Sequence, residues 1–199
     1  MKKLILFFLL ILPVLCTAQR VIVGLNGGVL YNTAPEGTTV TGVKRYGSLR
    51  IGTEVKSIML SIGADIGSLN AGSNIAYIDS ASNQVQFINY TYEFARNFIM
   101  PNISVNVKFP LPRSHAYFGG NAGYLVGKAV YMEKLSPFLV TKRTEQTSGA
   151  SVGVQAGYTF EATEKFGFNV EAAARYTSVG KLKASIIYFP LSFGLRYRF

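Results

Sequence analysis

The sequence is poor in cysteine, in histidine and in charge, and each scarcity removes a class of protein. Its one cysteine, Cys16, sits in an N-terminal segment that reads as a removable export signal. The mature chain is therefore expected to form no disulfide, even in a compartment that permits one. Its one histidine, His115, offers no cluster with metal-ligand spacing, and no cofactor motif accompanies it. Charged residues make up 15% of the chain against 49% apolar. That balance is too greasy for a disordered chain and too sparse in clustered basic residues for a nucleic-acid module. Also missing, beyond the first fifteen residues, is any apolar run of the roughly 20 residues a spanning helix needs.

What is present begins with Lys2 and Lys3, the apolar run Leu4 to Leu15 and the short polar stretch Cys16-Thr17-Ala18-Gln19. These are the regions of a secretory signal peptide, and the run is too short for a membrane anchor. Cleavage is expected after Ala18, removing residues 1–18 and leaving 19–199 as one domain. Lipidation at Cys16 is the competing outcome, opposed by Leu15 where a lipoprotein signal carries a small residue. Losing Lys2 and Lys3 takes the net charge from +10 to +8.

The rest of the chain alternates. Phe189, Leu191, Phe193, Leu195, Tyr197 and Phe199 fall on one face, with Pro190, Ser192, Gly194, Arg196 and Arg198 on the other. A strand sends successive side chains to opposite faces, so period two with one greasy and one small or charged side predicts a β-strand. The same design recurs over 166–176 and 150–160, and more weakly over 21–31, 48–55, 58–67, 102–109 and 116–127, giving eight strands. Three connections are tight, at Lys56-Ser57, Pro110 to Ser114 and Glu161 to Lys165, whereas 32–44, 68–95, 128–148 and 177–185 are long. Short turns at one end, long loops at the other and an even strand number predict an all-β fold, an eight-stranded antiparallel transmembrane up-and-down β-barrel.

Phe109, Phe160, Phe166 and Phe199 then gather at the turn end, and Tyr31, Tyr124, Tyr176 and Phe189 at the loop end, as two aromatic girdles. Segments 75–78 and 85–94 are alternatively two further strands, but the first is short, so a hairpin extending the third and fourth strands is expected, with its tip at Asp79 to Asn83. A water-soluble barrel with the apolar face inward is the rival. Gly24, Gly28, Gly63, Gly119, Gly123, Gly153 and Gly157 share the polar face, which suits a crowded interior better than a solvated surface.

An eight-stranded barrel is just wide enough to be filled by side chains. The inward phase carries Arg50, Lys108, Arg175, Arg196 and Arg198 with Glu54, Asp65 and Glu171. Enclosed charges persist only when paired, so an ion network plugging the lumen is expected, with a narrow ion-conducting path as the alternative.

The last residues, Ser192 to Phe199, resemble the C-terminal insertion signal of outer-membrane barrels, with Ser192, Gly194, Tyr197 and Phe199 at the defined positions. The resemblance implies reading by the barrel-assembly machinery as an added strand. The whole chain is similar to the small outer-membrane barrels that include OmpX and the OmpA transmembrane domain, and more narrowly to the PorT-like barrels of Bacteroidetes. The resemblance implies a monomeric integral protein of the cell outer membrane of a Gram-negative bacterium. Eight strands put both termini in the periplasm, and the chain departs from the OmpA type in lacking its periplasmic peptidoglycan-binding domain, so a cell-wall tether is not implied.

Two functions follow as expectations. The first is a non-enzymatic surface or secretion-assembly scaffold whose protruding loops, with Tyr77, Phe87, Tyr90 and Tyr92, bind a protein partner. The second is an envelope-lipid hydrolase resembling the lipid A deacylases, for which His115 is expected on the wrong, periplasmic side. Lys44, Arg45, Arg96, Lys128, Lys134, Lys142, Arg143, Lys181 and Lys183 flank or populate the loops, a basic rim facing outer-membrane lipid and the phosphates of lipopolysaccharide.

Overall fold

The computed structural model describes residues 20–33, 43–79, 84–136, 139–179 and 184–199, with side chains over 20–33, 43–69, 97–130, 143–178 and 185–199. The expected signal segment 1–18 lies outside the described residues. The strands are β1 (Val21–Asn32), β2 (Lys44–Val55), β3 (Ile58–Asp79), β4 (Gln84–Leu111), β5 (Ser114–Ser136), β6 (Leu139–Glu161), β7 (Phe166–Val179) and β8 (Ala184–Arg198). Each pairs antiparallel with its neighbour in sequence, and β1 also pairs with β8, so the sheet closes into an eight-stranded antiparallel barrel.

The turns explain the register. Val55 pairs with Ile58 around Lys56-Ser57, and Leu111 with Ser114 around Pro112-Arg113. Lys56 and Arg113 adopt positive φ (56° and 54°), the left-handed geometry that two-residue hairpins demand. The third turn is held by Thr163, whose hydroxyl accepts from the backbone N–H of Phe166 at 2.9 Å.

Register fixes which side chains face out. Leu25, Leu49, Ile66, Val105, Val126, Val154, Val170 and Phe193 stand on the outer wall, with Leu25 61% exposed. The girdle aromatics Tyr31, Phe109, Tyr124, Phe160, Tyr176, Phe189 and Phe199 are exposed with them. Fully burying one such side chain is worth about 1.5–3 kcal/mol. A continuous wall of them requires an apolar medium rather than water.

One long hairpin meets the expectation and a second departs from it. β3 and β4 do continue past the barrel wall, paired as far as Asp79 with Gln84. Residues 128–136 and 139–148, expected within a loop, are also ladder, with β5 and β6 paired from Lys128 with Gln146 out to Ser136 with Leu139. Main-chain pairing needs no alternation of side chains, so these strands persist where the apolar pattern stops. The rim is consequently uneven: β3 to β6 run 22, 28, 23 and 23 residues, against 12 and 12 for β1 and β2 and 14 and 15 for β7 and β8.

Candidate functional site

The strand phase that carries the charges points into the lumen, where they form three layers between the turn end and the loop end. Nearest the turns, Lys108 Nζ donates to Glu54 Oε2 at 2.8 Å, with Arg198 Nη2 3.6 Å and Arg196 Nη2 3.8 Å from the same carboxylate. Arg198 also donates to Glu161 Oε1 at 2.8 Å. His115 is enclosed in this layer, 2% exposed, accepting at Nε2 from Arg196 Nη1 at 2.9 Å. A guanidinium has no acceptor, so the imidazole proton sits on Nδ1, which lies 3.4 Å from Glu161 Oε1.

In the middle layer Arg50 Nη1 donates to Glu171 Oε2 at 2.5 Å, and the Tyr117 hydroxyl donates to the same oxygen at 2.8 Å. Around it Asn121 donates to Gln155, which donates to Asn106 Oδ1 at 3.0 Å. A cavity of about 50 Å³ remains, lined among others by Asn26, Arg50, Asn106, Tyr117, Glu171 and Arg196, enough for a water or two. Toward the loops Arg175 of β7 donates to Asp65 of β3 across the lumen, both side chains fully buried.

Above Asp65 and Arg175 the lumen turns apolar. Leu30, Tyr46, Leu69, Phe98, Met100, Leu125 and Tyr188 pack into one cluster, and the Tyr188 hydroxyl meets Met100 Sδ at 3.3 Å. Along its axis the interior is charged from the turn side up to Asp65 and Arg175, and greasy at its loop side.

The eight charged residues singled out from sequence, Arg50, Glu54, Asp65, Lys108, Glu171, Arg175, Arg196 and Arg198, all belong to these layers. Sequence reasoning missed Tyr117, Glu161 and the luminal position of His115. Tyr117 and His115 share a phase opposite the exposed Phe118, which was a legible signal. It also missed the apolar cluster, although Leu30, Phe98, Leu125 and Tyr188 sit in the inward phase of their strands. Ser114 and His115 do not form a pair, because the Ser114 hydroxyl donates to the Pro112 carbonyl at 3.3 Å. Among the described residues no group of His, Cys, Asp or Glu could hold a metal ion.

The terminal motif divides between the two faces: Ser192 is buried inside, while Tyr197 and Phe199 are exposed and meet edge to face at 4.8 Å. Gly194 has a packing reason of its own, since a Cβ there would overlap Asn26 Oδ1 and the Leu25 carbonyl. Of the basic rim, Arg45 and Lys128 are exposed, Lys44 is half-buried and Arg143 pairs with Glu145 at 2.8 Å. The side chains of Arg96, Lys134, Lys142, Lys181 and Lys183, and of Tyr77, Phe87, Tyr90 and Tyr92, lie outside the described residues.

No protein-family model matches the chain, and no curated protein matches it. Solved structures do. Neisserial surface protein A superposes with a TM-score of 0.57 at 12% identity, covering 90% of this chain and 97% of that one. The outer-membrane protease OmpT of Escherichia coli gives 0.49 at 11% identity over 92% and 98%. Ail, the attachment invasion locus protein of Yersinia pestis, gives 0.48 at 14% identity over 90% and 98%. At such identities the likeness is one of fold, and what it identifies is the closed eight-stranded barrel architecture of the Neisserial protein.

Proposed function

We propose that the chain is an integral outer-membrane barrel with a closed lumen and no hydrolytic centre, working through its protruding hairpins as a surface-interaction or secretion-assembly scaffold. The observation that carries this reading is the inversion of an ordinary core: large apolar side chains cover the outer wall, and charges are paired inside. In hydrocarbon no backbone group finds water, and a closed ladder is the one sheet that leaves none unpaired. The signal segment expected at 1–18 supplies the route, and the loop end is taken as the cell exterior, with the short turns and both termini in the periplasm.

A scaffold role is favoured over a pore because ion pairs and an apolar cluster occupy successive depths of the lumen. It is favoured over lipid hydrolysis because the one imidazole is committed to Arg196 and Glu161 at the turn end. A secretion-assembly role within the PorT-like group rests on the sequence resemblance alone. The test is fractionation with heat-modifiable gel mobility: the unboiled barrel should run faster than the boiled chain and sediment with outer membranes. A chain that stays monomeric in detergent-free buffer overturns the reading. Cross-linking in intact outer membranes, with and without residues 74–94, then tests the scaffold role.

A further inference from the structure

The apolar wall is interrupted on the outer face of β2, β3 and β4 near the loop end. Gly47 of β2 has no side chain there, Ile66 of β3 leans over it and Ile99 of β4 stands beyond, both isoleucines more than half exposed. Between the pairs Gly67 with Phe98 and Leu69 with Ala95, residues 96 and 97 of β4 oppose the single Ser68 of β3, a β-bulge. Asn97 sits at φ 48° in that bulge, and its N–H donates to Ser68 Oγ at 3.2 Å. The result is an open groove of about 770 Å³, the size of a small-molecule site, with Val43, Ile66 and Ile99 among its walls and Arg45, Ser68 and Asn97 at its loop-side end.

We propose that this groove binds one phosphorylated lipid of the outer leaflet, an acyl chain lying along Gly47, Ile66 and Ile99 and a phosphate held by Arg45. The proposal rests on the membrane reading above and assigns it a specific lipid contact. Charge complementarity decides the occupant. Arg45 makes no ion pair with any described residue and is placed where apolar wall gives way to polar rim. A guanidinium matches phosphate geometry with paired donors, and Ser68 and Asn97 supply polar side chains beside it. Lys128 of β5, exposed and in register with Arg96 of β4, stands three strands away from β2, about 14 Å at ordinary strand spacing. A headgroup bearing two phosphates has a second cation to reach.

The test is native mass spectrometry of the full barrel in detergent with bisphosphorylated lipid A and its dephosphorylated counterpart. Wild type should prefer the phosphorylated lipid about tenfold, the value of one charge-assisted contact. Arg45→Gln should abolish the preference, Gly47→Leu should weaken both lipids by filling the groove, and Lys165→Gln at the opposite end should change neither. All variants are first checked for heat-modifiable mobility. Equal binding of the two lipids by wild type, a preference retained in Arg45→Gln, or a dimer of the barrel dissolved by Arg45→Gln overturns the proposal. Wild type that fails to enter bilayers at all overturns the membrane reading instead, so the two failures are distinguishable.

Discussion

Asp65 and Arg175 offer the sharpest quantitative test, because both are fully enclosed and each is the other's partner across the lumen. Substituting Asp65→Leu leaves a guanidinium with no counter-charge beneath an apolar cluster, and Arg175→Met leaves a carboxylate in the same position. Breaking one side of such a pair costs about 3–5 kcal/mol, whereas replacing both by apolar groups is close to neutral. The folded-to-unfolded ratio should therefore fall roughly a hundredfold to several thousandfold in either single variant. The double variant, Asp65→Leu with Arg175→Met, should be more stable than each of them. The assay is urea unfolding of the barrel in lipid vesicles, followed by loss of the fast-running gel band and by circular dichroism. Costs that add in the double variant to within about 0.5 kcal/mol would refute the cross-lumen pair as a coupled unit.

Other outcomes follow from the same geometry. Val154→Lys, at an exposed position on the outer wall, should cost about 2–4 kcal/mol in vesicles near the bilayer midplane, read from urea midpoints. Phe98→Ala together with Leu125→Ser should open only the loop side of the lumen, leaving conductance in planar bilayers at the wild-type level because the ion-paired layers below still close it. Its folding cost, about 3–5 kcal/mol for the aromatic alone, should appear in the same unfolding curves. Gly194→Ala should lower the yield of folded barrel in detergent through overlap with Asn26 and the Leu25 carbonyl, without any assembly factor present. His115→Ala, which removes a partner of Arg196, should leave the lipid A profile of a producing strain unchanged while shifting the urea midpoint.

The strand pattern was legible wherever hydrocarbon and lumen impose opposite demands on neighbouring residues. Phe193, Leu195 and Tyr197 against Ser192, Gly194 and Arg196 is such a stretch, and the structure keeps its phase. Above that zone apolar and polar residues are no longer sorted by face, as in the run Ala129 to Met132, so the pairing of Lys128 with Gln146 carries no periodic signal although the ladder continues. The charged layers were legible because arginines and acids in one phase must find each other. Their vertical order was not, since pairs such as Arg50 with Glu171 join strands far apart in sequence, and the alternation on one strand does not say which partner meets it. The apolar cluster was obscured for a related reason: Leu30 or Leu125 in a polar phase looks like an irregularity until several strands place their irregularities at one depth.

The unequal strand lengths have a mechanical consequence. Past Gly67 the ladder of β3 is with β4, and before Ser151 that of β6 is with β5, so the tall strands stand as a palisade over half the circumference. Among the described residues no strand pairs with its two flanks, which are the kind of border onto which an extended peptide can be laid. Among the described residues the low half leads straight to the apolar cluster of the lumen, and the tall half ends in a fence.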